Sequence, residues 1–453
     1  MTDVVSESYN RQCLDGNRKL LDAMSNASAR FPEKFHASCG ERLLPRPFFV
    51  SQAEIVTFTD DLIALIDLLV SLPQRLFEGD LMRYAESLGI DAREAAIMTR
   101  LNGRPTLYGR ADLYHDGTSF KLLELNLGSE LGGTDRAEIS RTLLEVDAFR
   151  AFAEEHRLGY VHTGQQVASA LRKAAEPLTG GADPVVAFVE VDGGLPEYLH
   201  LVLSFQEMMR GLGIEVLLGE VSQIRSQGDR LYLHGKPVDV VLRYFTADGL
   251  LETADGVRRA EAIFRAHEEG NVVLWTTMQS AIHANKGCLA LLSDLGSRDM
   301  FSAAEMALVD RVLPWTRTLT DGPVQAEGTT VELLEYCREQ RDQLIIKPHA
   351  SFGGKGIVVG WQTSESKWNN ALLECRDQGS IVQRRVTPRK EPVVDPTTGA
   401  VEDWVAAWDA FLTPDGYAGS HIRALPSGEG AVIGMGASAR CRTTGVFTYP
   451  RQE

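Results

Sequence analysis

Four side chains close together in the sequence have the right types for cation and phosphate chemistry: Arg110, Asp112, Glu124 and Asn126. Two carboxylates and an amide oxygen are hard ligands. Glu124 and Asn126 stand two apart in Lys121–Leu127, a run that reads as a strand, so a period of two puts both on one face. Asp112 precedes a turn signal, His115-Asp-Gly117, and a hairpin there would return the chain to set Glu124 beside it. Mg²⁺ is commonly held by one or two carboxylates together with substrate phosphates. A nucleotide site is the first reading; the solvated outer face of a hairpin is the alternative.

A phosphate-binding counterpart lies further along the chain. Ile345-Ile-Lys347-Pro348 places a lysine at the end of an apolar strand, and Gly353-Gly354-Lys355-Gly356 follows before Ile357-Val-Val. A glycine loop between strands lets backbone N–H groups approach a polyphosphate, because glycine accepts the backbone angles required. Lysines at both ends add mobile positive charge. The pattern is neither GxxxxGK[ST] nor GxGxxG. After a helix at Glu365–Gln378, the strand Ser380–Arg385 brings Gln383 to where a linker offers backbone groups to an adenine edge; a plain core strand is the alternative.

The elements that must position these groups follow from periodicity. Residues 1–100 read as mainly helical, with Ser51 as an N-cap, Glu54 at its third position and Leu62–Leu72 as a buried helix. Thr134–His156 is expected to be one helix. Val185–Val191, Ile214–Leu218, Val238–Tyr244 and Asn271–Thr276 read as strands separated by helices Glu197–Gly211 and Ala254–Glu269, an α/β layer. Val238–Leu242 is nearly all apolar, as a buried parallel strand should be. Helices are expected at Ala284–Leu295 and Thr330–Gln340, a loop at Arg389–Gly399, and strands at Trp404–Leu412 and Gly419–Ala424.

Composition bounds the rest. The 453 residues are 44% hydrophobic and 24% charged, with a net charge of −16. That is an ordinary globular composition, and its acidity argues against a general nucleic-acid binder. No apolar run reaches the roughly 18 to 20 residues of a membrane span. Met1–Asn10 is polar and acidic, so no secretory signal is expected. Six scattered cysteines without a CxxC pair read as reduced thiols of a cytoplasmic protein, and no zinc spacing is present.

The chain resembles the ATP-grasp carboxylate–amine ligases, in their glutathionylspermidine synthase-like branch. The resemblance rests on Arg110-x-Asp112 with Glu124-x-Asn126, Asn285-Lys286-Gly287, Lys347-Pro348 with Gly354-Lys355-Gly356, Val382-Gln383, and Gly419-Ser-His-Ile-Arg423. These segments span residues 107–424 in the family's order. Gly-Lys-Gly stands where the family carries Gly-Arg-Glu-Gly, and Gly128–Thr134 replaces its Ala-Asp-Thr-Pro-Thr type of segment. No amidase domain is expected in a chain of this length.

The resemblance implies an α/β (α+β), circularly permuted ATP-grasp architecture. Its divisions would be a helical region at 1–106, a metal-binding part at 107–160, a Rossmann-like layer at 161–280, and a phosphate- and adenine-binding part at 281–453. It implies ATP and Mg²⁺, with Asp112, Glu124 and Asn126 as metal ligands. Lys286, Lys347, Gly353, Gly354, Lys355, Gly356 and Gln383 would bind the nucleotide, and Arg110 and Arg423 would be catalytic. The expected reaction joins a small-molecule carboxylate to an amine through an acyl phosphate, with no nucleic acid or membrane as partner and a homo-oligomer left open. The alternatives are a small-molecule phosphotransferase and a nucleotide-binding protein without catalysis. Arg110 would otherwise pair with a nearby carboxylate; Arg423 suits a phosphate or a substrate acid alike. Arg243 reads as a substrate anchor or a surface residue, and Ser129 and Glu130 as acyl-pocket residues or a loop cap. His349 and His421 read as structural.

Overall fold

A computed structural model describes residues 4–16, 18–101, 103–294, 299–350 and 353–450. Three sheets dominate. The largest has seven strands and runs Phe48–Ser51, Arg442–Tyr449, Gly416–Pro426, Val401–Thr413, Gly109–His115, Phe120–Leu127, with Lys390–Val394 also paired to Val401–Thr413. A four-stranded parallel sheet has the order Val273–Trp275, Val240–Arg243, Val185–Glu190, Glu215–Glu220. A second four-stranded sheet, Thr316–Thr318, Ser380–Arg384, Leu344–Pro348, Val358–Val359, carries Lys347 and Gln383.

The α/β class expected from the sequence is the class observed, and local signals act as anticipated at several points. Ser51 caps helix Gln52–Val70 by accepting from the Glu54 N–H at 3.1 Å. That helix buries Leu62, Leu65, Ile66 and Leu69 against the large sheet, whose inner face adds Leu113, Leu122, Trp408 and Ile422. Among the described residues no helix is long and apolar enough to cross a membrane, and the six cysteines are free thiols.

Several elements differ from expectation. Thr134–His156 is a 3₁₀ turn followed by helices Ala137–Leu143 and Asp147–Glu155, because Val146 is extended and Asp147 opens a new first turn. The helix expected at Ala284–Leu295 divides into Ser280–Ala284 and Gly287–Ser293, with Asn285 extended between them; Leu295 lies outside the described residues. The expected loop at Arg389–Gly399 contains the strand Lys390–Val394. Pro392 is tolerated there because the strand hydrogen-bonds to Val401–Thr413 alone. The helix expected at Ala254–Glu269 is observed as Gly256–Glu268, with a separate short helix, Ala247–Glu252, ahead of it. Thr330–Gln340 begins as a strand, Thr329–Glu332, and Ile357–Trp361 keeps only Val358–Val359 as strand.

Candidate active site

The hairpin 109–127 sets the geometry. Asp112 lies directly opposite Glu124 and Arg110 opposite Asn126. Leu113 pairs with Leu122, so Leu123 has no opposing residue and forms a β-bulge. The displaced Leu123 carbonyl accepts a hydrogen bond from Lys347 Nζ at 2.9 Å, which ties the lysine's sheet to the hairpin. Lys347 Nζ also donates to Gln383 Oε1 at 2.7 Å, and Gln383 Nε2 donates to Thr316 Oγ1 at 3.1 Å. Lys286 reaches in from the turn before Gly287–Ser293 and meets Glu124 Oε1 at 3.0 Å. Burial pushes the Lys347 ammonium down to about 8, a shift that Glu124 opposes and Lys286 reinforces.

A second cluster lies on the same face of the large sheet. Asp409 pairs in register with Asp112 on one side and His421 on the other. Arg423 clamps Asp409 with Nε at 2.7 Å and Nη2 at 2.5 Å, and Nη2 also donates to Asp112 Oδ2 at 2.8 Å. Arg110 Nε donates to Asp112 Oδ1 at 2.8 Å and its Nη1 to the Gly132 carbonyl at 3.0 Å. His421 Nε2 lies 2.9 Å from Asp409 Oδ2. Burial opposes ionisation of Asp409, yet Arg423, His421 and Arg110 together hold its carboxyl well below the usual range. Burial likewise opposes the Arg423 charge, and Asp409 and Asp112 outweigh it.

Eight of the twelve expected site residues have their places defined in this way, and the other four form an adjoining turn. Arg110, Asp112 and Arg423 form one linked group; Glu124, Lys286, Lys347 and Gln383 form another, with Asn126 opposite Arg110. Asn126 Nδ2 is buried and has no hydrogen-bond partner among the described residues. Gly353–Gly356 is an exposed turn, and Gly353, Gly354 and Gly356 all take positive φ. It approaches the arginine cluster indirectly: a Cβ on Gly354 would stand 3.4 Å from the Val432 side chain, and Ile433 next to it accepts from Arg423 Nη1 at 3.1 Å.

Two findings correct the reading of single residues. Arg243 is fully buried rather than a surface residue, donating to the Thr276 and Phe245 carbonyls and lying 2.6 Å from Glu130. Ser129 donates to the Arg243 carbonyl and accepts from the Thr276 N–H, so it braces a strand end. Asp409 was not anticipated. Its signal was a lone charge in the apolar run Trp404-Val-Ala-Ala-Trp-Asp-Ala-Phe-Leu412, which a buried strand tolerates only with partners. Asp112, Glu124 and Asp409 face Arg110, Arg423, Lys286 and Lys347, so cations slightly exceed carboxylates. A magnesium–polyphosphate could exchange partners with both sets.

No protein-family model matches the chain. Two curated relatives are the uncharacterized protein ML0605 of Mycobacterium leprae (strain TN), 26% identical over 294 residues, and Rv2411c of Mycobacterium tuberculosis (strain ATCC 25618 / H37Rv), 25% identical over 294 residues. The matched region is 63% of this chain and 48% and 49% of those proteins, so the chain spans about half the length of the curated relatives it matches. Among solved structures, the apo form of a glutathione synthetase-like effector (GSS30) from Globodera pallida superposes with a TM-score of 0.56, covering 95% of this chain and 97% of that one at 13% identity. This likeness establishes a shared fold.

Proposed function

We propose that the chain is an ADP-forming ligase that joins a small-molecule carboxylate to an amine through an acyl phosphate. One observation carries this reading: two carboxylates on neighbouring strands, Asp112 and Glu124, meet Arg423 and Lys286 from two other segments, and Lys347 from a further strand is tied to the Leu123 carbonyl beside Glu124. The fold shared with a glutathione synthetase-like protein supports it.

The donor set suits Mg²⁺. Asp112 and Glu124 would supply carboxylate oxygens, and the Asn126 amide, turned over, would present its oxygen where Nδ2 finds no partner among the described residues. Among the described residues no three His, Cys, Asp or Glu side chains gather as a metal site, so phosphate oxygens and water would complete the shell. When bound, the ion would neutralise charge on the β- and γ-phosphates.

The protein's own groups then act by position and charge. Lys286 and Lys347 exchange Glu124 and the Leu123 carbonyl for phosphate oxygens, the turn Gly353–Gly356 covers them, and Gln383 lies by the adenine. The substrate carboxylate oxygen attacks the γ-phosphorus and the bond to ADP breaks. The amine nitrogen attacks the acyl carbon, phosphate leaves with the acyl C–O electron pair, and the amine's proton is lost. Arg110, two residues from a metal ligand, stabilises the transferring phosphoryl and the tetrahedral oxyanion. Arg423 orients Asp112 and meets the phosphate or the substrate acid. The thiols suit a reducing, cytoplasmic setting.

The test supplies ATP, Mg²⁺, pooled amino, peptide and small acids, and hydroxylamine as the amine, beside an Asp112→Asn variant. Hydroxamate with equimolar ADP, abolished in the variant, is the expected result; a phosphorylated product insensitive to amine would make the chain a phosphotransferase. ATP binding carries its own expectation. Lys347 must be protonated to meet phosphate, so ATP affinity measured by titration is level below its value of about 8 and weakens as pH rises through it. Lys347→Arg should remove that pH dependence.

A further inference from the structure

Four acid–base side chains form a row across four neighbouring strands of the large sheet. His421 stands opposite Asp409, Asp409 opposite Asp112, and Asp112 opposite Glu124. Residues in direct register share one face, and with strands about 4.8 Å apart the backbones at His421 and Asp112 are about 10 Å apart. Metal and phosphate chemistry belongs to the Glu124 end of the row. His421 stands at the other end, and the groups assigned to metal and phosphate leave the amine's proton without an acceptor.

Hydrogen bonding fixes where the His421 ring is basic. Asp409 is ionised despite its burial, and an ionised carboxylate only accepts hydrogen bonds. The 2.9 Å contact of His421 Nε2 with Asp409 Oδ2 therefore puts a proton on Nε2. Burial lowers the ring's pKa below the ordinary imidazole value; Arg136 and Arg110 act in the same direction and Asp409 against it. The ring is thus neutral at neutral pH and Nδ1 carries a lone pair. That atom is buried and has no hydrogen-bond partner among the described residues. A carboxylate that holds one imidazole nitrogen and leaves the other free to take a proton is the base arrangement of nucleophile-activating triads.

The ring also lies beside Arg110. Arg110 Nε is 3.9 Å from Asp409 Oδ1, the second oxygen of the carboxylate that holds His421. Arg110 Nη1 donates to the Gly132 carbonyl, and the next residue, Gly133, passes over the ring. A Cβ on Gly133 would stand 2.9 Å from His421 Cε1, and its φ is +99°, so glycine alone fits that cover. The His421 side chain keeps 8% exposure against 1% for Asp409, so an incoming group meets the ring and not the carboxylate.

We propose that His421 is the general base of the amine step and that Nδ1 takes the amine's proton. The inference rests on the ligase reading. As the nitrogen lone pair forms the N–C bond, the N–H proton passes to Nδ1 and the acyl C–O bond breaks with its electron pair going to phosphate. The imidazolium formed keeps its Nε2 hydrogen bond to Asp409 and gives its proton to water after phosphate leaves.

The test compares the full chain with His421→Gln, whose side-chain amide can still donate to Asp409 but offers no basic nitrogen. With ATP, Mg²⁺ and pooled acids, two half-reactions are read separately. One is migration of ¹⁸O out of the β–γ bridge of ATP without amine; the other is amide formation with methylamine. The variant should lose about 10²-fold or more in amide formation while isotope migration stays within about twofold of wild type. Both halves falling together would make His421 structural, and undiminished amide formation in the folded variant would remove it as the base; either result overturns the proposal. Absence of acid-dependent migration in the wild type would instead remove the ligase reading, and the base with it. Nitrogen-15 NMR of the wild type at neutral pH does not depend on the variant's folding. Nδ1 of His421 should resonate as an unprotonated nitrogen and Nε2 as a protonated one, and the reverse would overturn the assignment.

Discussion

Replacing Arg110 by methionine should lower the turnover of ATP on the order of 10³-fold, the scale on which a single arginine stabilises a transferring phosphoryl group. The effect is expected in kcat, with the ATP KM nearly unchanged, because the lysines and not Arg110 carry ground-state phosphate binding. Stability should change little. Asp112 loses one of two arginine partners but keeps Arg423 at 2.8 Å, and the Gly132 carbonyl loses a single hydrogen bond. Arg110→Lys should recover only part of the rate, since an ammonium keeps the charge but not the planar fork. Steady-state kinetics on the three proteins separate the outcomes. A rise in KM at constant kcat would assign Arg110 to binding and remove it from the transition state.

Asp409→Ala should cost about 3–5 kcal/mol of stability, the range for leaving a buried ion cluster without one partner. The Asp409 side chain is essentially inaccessible and holds Arg423 through two hydrogen bonds, with His421 against it. Its removal leaves Arg423 with Asp112 and the Ile433 carbonyl and takes the Asp409 acceptor from His421. Urea unfolding gives the measure, and adding Arg423→Met to the variant should restore part of the loss, because the second change removes the stranded charge. The pH dependence has a definite sign. The folded carboxyl is held below its unfolded value, so its contribution is fully present above the unfolded value near 4 and is lost as pH falls toward the folded one. The wild type should therefore lose more stability on acidification than Asp409→Ala, and equal losses would contradict the assignment.

The sequence exposed the site unevenly, and the reasons are physical. The hairpin was legible nearly to the residue, since Asp116-Gly117 turns the chain and alternation fixes which side chains share a face. The bulge at Leu123 was written in the doubled Leu122-Leu123, where the apolar period slips by one, although the chain alone does not reveal that its carbonyl meets Lys347 from another sheet. Phe48–Ser51 and Arg442–Tyr449 escaped notice because their parallel pairing joins opposite ends of the chain, with Phe48 opposite Val446. Lys390–Val394 was hidden by its proline. Lys286 acquired meaning only by resemblance to a known pattern: the short turn that presents it carries no phosphate-binding signature of its own. Asp409 and its pairing with His421 are tertiary facts, assembled from segments whose local patterns read as ordinary core.

The ligase assignment requires that a substrate carboxylate take the γ-phosphoryl group of ATP. The most direct measurement places ¹⁸O in the β–γ bridge of ATP and follows its position by ³¹P spectroscopy, with protein, Mg²⁺ and pooled acids but no amine. Reversible formation of an acyl phosphate frees the β-phosphate of bound ADP to rotate, and the label moves from the bridge to a non-bridging oxygen only when the acids are present. Release of AMP and pyrophosphate would contradict acyl-phosphate chemistry, as would label movement indifferent to acid.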